Sequence, residues 1–284
     1  MKHKWISCVA ACLILPGASF LAAPARLVQD GQPFKPGCKL PFDDIKERHP
    51  IDDDCGIQGD ATKPDHQIQN AAKNNFCGTG KPIPVTISTF VNLMQAAVDD
   101  DIPFGSSNKL PPDRSVLHNL LSTPQGKIGE GTVVSLVAVV INARHSNLSK
   151  GESVNCKRGR KENNDIHIEL GKTVDDDPCT SVTAEISPHF RPSSWDEFDS
   201  YDFKNRPVRM TGQLFFDASH SPCKPGKRAS PARISIWEIH PVYAIDVCKF
   251  KSLARCKASD KTVWVPFDQW YGAEEGDEPE RGKN

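Results

Sequence analysis

The chain has 284 residues, 35 Lys+Arg against 36 Asp+Glu, a formal net charge of -1 and 7% aromatic residues. That length admits one sizeable domain or two small ones, and the near-neutral balance withholds the electrostatic footprint of a protein that coats nucleic acid. Charge is nonetheless unevenly spread: residues 130–258 hold 19 basic against 16 acidic side chains, whereas the segment from Ser259 onward holds 3 against 7.

The N-terminus reads as a secretory signal over residues 1–25. Lys2 and Lys4 give a positive start, Ile6 to Ala23 is apolar, and Ala23-Pro24-Ala25 offers small residues at a cleavage site. Pro16 and Gly17 interrupt the run, which argues against a membrane anchor. Val9-Ala10-Ala11-Cys12 has the form of a lipobox, but Leu13-Ile14-Leu15 stays apolar past Cys12, so a lipid anchor at Cys12 is the minor alternative to a secreted or periplasmic protein. Cleavage leaves Cys38, Cys55, Cys77, Cys156, Cys179, Cys223, Cys248 and Cys256. An even count in an exported chain argues for disulfides, and no C-x-x-C spacing supports zinc. Sequence cannot decide the pairing; short spacing favours Cys38–Cys55, Cys156–Cys179 and Cys248–Cys256, leaving Cys77 with Cys223.

Residues 26–129 read as a cysteine-bearing, partly helical extension. Ile68, Ala71, Ala72 and Asn75 have helical spacing within His66–Phe76. Phe90, Met94, Ala97 and Val98 make an apolar stripe over Ser88–Val98, which Ser88 can cap, and Asp99-Asp100-Asp101 opposes the dipole at its end. A short helix is predicted at Asp113–Leu121 after Pro111-Pro112.

Residues 130–258 carry the strongest pattern. Thr132–Ile141, Asp165–Leu170 and Ser181–Ile186 read as three strands, and Val208–Phe216 and Arg233–Val247 as two more. Between the third and fourth lies Ser194–Phe203, where Ser194 and Glu197 have capping-box spacing for a helix. Three strands, a helix and two strands is the order of the OB-fold, a five-stranded Greek-key barrel. The fold class is therefore mainly β, with an α-helical N-terminal extension on an OB-fold-like barrel. The first strand is apolar on both faces, which requires a central position. The polar loop after it carries Arg144, Lys157, Arg158, Arg160 and Lys161, and in OB barrels this loop contacts ligand. Trp237, with Ile234, Ile236 and Ile239, suits a buried strand. Residues 259–284 form a C-terminal segment: Thr262–Trp270 is expected to pack back on the barrel, ahead of an acidic tail expected to be disordered.

Candidate chemistry is sparse. Asp165 and His167 share one strand face, as do Glu238 and His240, and further acid–histidine neighbours occur at Glu185–His189 and Asp217–His220. Carboxylate beside imidazole is what a divalent-metal site or a general acid–base pair requires. With this many acids, however, such neighbours also arise by composition. Asp52-Asp53-Asp54 lacks the register of a calcium loop, Gly78-Thr79-Gly80-Lys81 lacks that of a phosphate loop, and no G-x-S-x-G or H-E-x-x-H occurs. Asn147-Leu148-Ser149 is a glycosylation sequon.

Gly151-Glu152-Ser153-Val154-Asn155-Cys156, Asp165-Ile166-His167-Ile168, Gly212-Gln213-Leu214-Phe215-Phe216-Asp217 and Trp237-Glu238-Ile239-His240-Pro241 together resemble a group of uncharacterised bacterial exported proteins with an OB-like domain. The resemblance spans roughly residues 130–248. It implies the fold and a bacterial origin, with no activity attached. The expected function is a binding module for an oligonucleotide, a glycan or a protein, built on Arg144 and the Lys157–Lys161 cations, with no cofactor. The alternative is a metal-dependent hydrolase in which His167, Glu185, Glu238 and His240 form a cluster and Asp165 orients His167.

Overall fold

The computed structural model describes residues 55–271 apart from 77, 79, 106–108, 190, 192–194, 197 and 198. The leader with Cys12, Asp52–Asp54, Cys38, Cys77, the capping residues Ser194 and Glu197, and the acidic tail after 271 lie outside the described residues. In chain order the elements are α1 (Pro64–Lys73), β1 (Ile83–Val85), α2 (Ile87–Asp99), β2 (Leu121–Thr123), β3 (Gly126–Ile128), β4 (Val133–His145), β5 (Ile166–Gly171), β6 (Val182–Ile186), β7 (Pro207–Phe216), β8 (Trp237–Cys248), β9 (Trp264–Pro266) and α3 (Phe267–Tyr271).

Five strands close into a barrel. β4 pairs antiparallel with both β5 and β7, β5 with β6, and β7 with β8. One parallel pairing, β6 with β8, completes the ring β4-β5-β6-β8-β7-β4. β4 reaches both neighbours because its first half runs beside β7 and its second beside β5, with a register shift between Val140 and Asn142 that bends it around the barrel. Its double apolarity now has a cause. Val134, Leu136, Ala138 and Val140 join the barrel core, while Val137, on the opposite face, packs under Cys248, Cys256, Val263 and Trp264. Trp237 is fully buried, as its apolar neighbours anticipate. Gly212 is required where β7 crosses β8, since a Cβ there would lie 2.4 Å from the Pro241 carbonyl oxygen.

The extension shares this core rather than forming one of its own. Phe90, Leu93 and Ala97 of α2 are buried with barrel residues, and Ser235 Oγ donates to the Phe90 carbonyl at 3.0 Å. Three expectations need correction. α1 begins at Pro64, whose fixed φ favours the first helical position, and stops at Lys73 rather than Phe76. α2 is capped by Thr86 and Thr89 in a reciprocal box, not by Ser88. Over Asp113–Leu121 only Arg114–Leu117 is helical, as one 3-10 turn, and Leu121 opens the β2–β3 hairpin. Tertiary contacts decide that last case: Arg114 is drawn inward to Glu130 and to the Phe216 carbonyl. Between β6 and β7 the described residues hold a 3-10 turn, Ser200–Phe203, capped by Asp199 and Asp202.

Cysteine pairing also departs from local spacing. Cys55 bonds Cys156 and Cys179 bonds Cys223, in place of Cys38–Cys55, Cys156–Cys179 and Cys77–Cys223; only Cys248–Cys256 pairs as spacing suggests. The first of these staples the extension to the β4–β5 loop, and α1 reinforces it: Asn70 Nδ2 donates to Ser153 Oγ at 3.1 Å and to the Gln58 carbonyl at 2.9 Å. The C-terminal segment packs back as expected, β9 pairing with the end of β8. Among the described residues, no helix is long and apolar enough to cross a membrane.

Candidate functional site

Alternation puts Ile166, Ile168, Val182, Ala184, Ile186, Trp237 and Ile239 inside the barrel. The same alternation turns Asp165, His167, Glu185, Glu238 and His240 to the outer face of β5, β6 and β8. Register then aligns them: His167 sits directly opposite Glu185, and Glu238 opposite Thr183. A solvated outer face would be unremarkable for such residues. Here it is roofed by α1, the loop 146–165 and the loop 217–236, so Asp165, Glu185, Glu238 and His240 are all at most 2% exposed.

Lys73, at the last turn of α1, reaches into this layer. Its Nζ lies 2.7 Å from Glu185, 3.0 Å from Asp165 and 3.7 Å from Glu152. His167 Nε2 stands 3.1 Å from Glu185 Oε1 and 3.3 Å from Glu152 Oε1, and His240 Nδ1 lies 3.3 Å from Glu185 Oε2. The fully buried Arg233 spans the remaining acids, 2.8 Å from Glu238 and 2.5 Å from Asp217. At the edge of the layer His220 Nδ1 contacts Asp217 Oδ2 at 2.6 Å, and Ser219 Oγ donates to Asp217 Oδ1 at 2.7 Å.

Protonation follows from this crowding. Burial works against the Lys73 ammonium, but Glu185, Asp165 and Glu152 outweigh it and hold its pKa well above the ordinary lysine value. Burial likewise opposes the charged forms of Glu185 and Asp217; His167 and Lys73 overcome it at the first, His220 and Arg233 at the second, and both carboxyls fall well below their usual range. Glu238 goes the other way: burial, then the nearby Glu185 and Asp217, push it well above. Asp165 is also raised, by burial against the pull of Lys73. Burial disfavours the His167 imidazolium, yet Glu185 and Glu152 raise its pKa. The layer thus holds carboxyls pushed in opposite directions, Glu185 and Asp217 toward the ionised form and Glu238 and Asp165 toward the protonated one, and perturbed groups of this kind cluster at functional sites.

Beside the layer opens a pocket of about 580 Å³. Gln69, Asn70 and Lys73 line it from α1, and His145–Asn147 and Gly151–Val154 from the end of β4 and the loop after it. His167 and Glu185 form the strand face, and Asp217, Ser219, His220, Ser230 and Pro231 come from the β7–β8 loop. Gly151 has φ +65°, and a Cβ there would sit 2.3 Å from the Lys157 carbonyl carbon, so the loop folds back tightly beside the pocket.

The residues singled out by sequence therefore divide. His167, Glu185, Glu238, His240 and Asp165 converge in one layer. Asp165 faces Lys73 and Asn155 Nδ2 (3.1 Å), whereas the groups at the His167 ring nitrogen are Glu152 and Glu185. Arg144 lines the pocket, exposed and 3.7 Å from Glu169. Lys157 pairs instead with Asp60 at 2.7 Å, and Arg160 lies 3.7 Å from Glu162. The carbonyls of Arg158 and Lys161 brace the loop by accepting from Asn164 and Arg191, and none of these four residues lines the pocket. Asp217 and His220, one of the acid–histidine neighbour pairs in the sequence, join the site from the β7–β8 loop, and Lys73, Glu152 and Arg233 complete it without having been candidate site residues. The one usable signal for Lys73 is that Gln69, Asn70 and Lys73 put polar groups where a packed helix normally presents apolar ones.

Two sets of ligand-type atoms, from Glu152, Asp165 and His167 and from Asp165, Glu185 and His240, each lie within 4.8 Å of one another. The Lys73 ammonium stands against three of these carboxylates and already supplies the positive charge that a metal ion would bring. The chain matches no family model, no curated protein and no solved structure.

Proposed function

We propose that this chain is an exported OB-like binding module, and that its ligand is a small polyhydroxylated molecule, a saccharide or glycan fragment, held in the pocket beside Lys73 and His167. The observation that carries this reading is the position of the pocket. It lies on the outer face of the second and third barrel strands, between the loops joining strands one to two and four to five, where OB barrels take oligonucleotides and oligosaccharides. The ring order, with its single parallel pairing, supports the OB assignment. Its volume lies in the range of small-molecule sites, roughly 300–1,000 Å³.

Lining chemistry chooses among ligands. Carboxylates, amides, hydroxyls and imidazoles offer both donors and acceptors to a polyol. Among the described residues that line the pocket none is a Phe, Tyr or Trp platform of the kind that stacks nucleobases, and Glu152, Glu185 and Asp217 oppose phosphate. Disulfides suit an exported chain, and the leader-like N-terminus supports the same location. Saturation-transfer NMR and calorimetry against mono- and oligosaccharides test the reading, with single-stranded oligonucleotides as the counter-panel. Saccharide binding that Glu152→Gln weakens at least tenfold is expected. Oligonucleotide binding with a steep salt dependence, flattened by neutralising Lys157, Arg158, Arg160 and Lys161, would overturn it.

A second reading, metal-assisted hydrolysis, draws on the two converging ligand sets and on His240 Nε2, buried without a hydrogen-bond partner. A metal bound there would lower the pKa of a coordinated water. It would need Lys73 to withdraw. Stoichiometric zinc or manganese in the purified protein, lost in the His167→Ala and His240→Ala variants, would favour this reading over the saccharide site.

A further inference from the structure

The strongest unassigned feature lies on the C-terminal flank of the barrel, away from the pocket. The residues described there, 199–209 and 249–268, hold eight basic and four acidic side chains in a chain whose net charge is -1. Lys249, Lys251, Arg255, Lys257 and Lys261 are exposed on the loop clamped by Cys248–Cys256 and on the turn after it. The acids are engaged locally. Asp199 and Asp202 cap one turn and Asp260 caps another, while Asp268 accepts from Trp195 Nε1 at 2.6 Å.

Arg206 stitches the two stretches together: it donates to the Lys249 carbonyl and lies over the Trp270 ring. Five residues before it, Tyr201 stands 85% exposed, the most exposed of the large apolar or aromatic side chains described. Arg255 lies 3.5 Å from the centre of the Phe250 ring.

We infer that this flank is a membrane-contact surface, with Lys251, Lys257 and Lys261 facing anionic phospholipid headgroups and Tyr201 entering the interface. Three features favour a lipid surface over a polymer. The exposed cations are mostly lysines, point charges suited to a diffuse anionic plane, whereas directional phosphate recognition favours the arginine fork. Arg206 is committed within the fold, and Arg255 is stacked on a ring. A single projecting tyrosine, half apolar and half polar, matches the interfacial role of aromatic residues rather than a row of stacking platforms. This inference is independent of the pocket's ligand.

Vesicle co-sedimentation tests it, using the chain from residue 26 onward with its disulfides intact, which retains every described element. Vesicles of phosphatidylcholine alone are compared with vesicles containing phosphatidylglycerol. Partitioning onto the anionic vesicles alone is expected. It should fall about fivefold for each lysine removed, hence on the order of a hundredfold for the combined Lys251→Gln, Lys257→Gln and Lys261→Gln variant. Raising salt should weaken binding, and Tyr201→Ser should reduce what remains. These side chains are exposed, so thermal unfolding should be unchanged in the variants. Equal partitioning of wild type and triple variant would overturn the proposal, as would retention on a sulfated polysaccharide or an oligonucleotide without vesicle binding.

Discussion

Replacing Lys73 with methionine removes the ammonium shared by Glu185, Asp165 and Glu152 while keeping most of the side-chain volume. The lysine side chain is 14% exposed and that of Glu185 3%, so the charges left behind are desolvated. The buried layer then has two options: hold an uncompensated carboxylate, or protonate it. Protonation sets a ceiling on the loss. Keeping a carboxyl of ordinary pKa about 4.3 protonated at pH 7 costs about 3.7 kcal/mol, within the roughly 3–5 kcal/mol typical of a broken buried ion pair. At pH 5 the same protonation costs only about 1 kcal/mol. The wild-type pair persists at both pH values, because Glu185 is held well below its usual range and Lys73 well above. Lys73→Met should therefore destabilise by about 3–4 kcal/mol at pH 7 and by about 1 kcal/mol at pH 5. Urea unfolding at the two pH values measures both, with an unchanged denaturant slope confirming that the native state is intact. Adding Glu185→Gln should recover much of the loss at pH 7. A cost below about 1 kcal/mol at pH 7, or one independent of pH, would refute the reasoning and place the ammonium in pocket water.

The raised His167 pKa makes its contribution complete below the unfolded value of about 6.5 and lost as pH rises through the folded one. Stability should thus decline from neutral to mildly alkaline pH, and less so in Glu185→Gln; pH-dependent calorimetry checks this. Cys55 and Cys156 are 101 residues apart and Cys248 and Cys256 only 8. Opening the first by Cys→Ser pairs should cost about 4–5 kcal/mol against about 2.5 for the second, and equal losses would contradict a loop-entropy origin. Trp237→Ala empties the fully buried barrel position beside Phe216 and should cost about 3–5 kcal/mol in chemical unfolding.

The five barrel strands were legible in the sequence because period-two alternation and continuous apolar runs are local signals, and even the double apolarity of β4 spoke for its central place. Trp237, flanked by isoleucines, declared itself as core for the same reason. Of the site, alternation alone turned Asp165, His167, Glu185, Glu238 and His240 away from the barrel interior. Nothing local says that β6 and β8 run parallel and adjacent, which is what sets Glu238 and His240 beside Glu185. Nor does it say that α1, which ends at Lys73 while β5 begins only at Ile166, lies across that face and lowers Lys73 into it. The Cys55–Cys156 bridge belongs to the same class: spacing favoured near neighbours, but closure across a hundred residues depends on where the extension docks. Sequence by itself determined which face each side chain takes. Only the tertiary structure decided which faces are covered, and so which charges must find one another, because the cost of burying a charge is set by whatever lies above it in space.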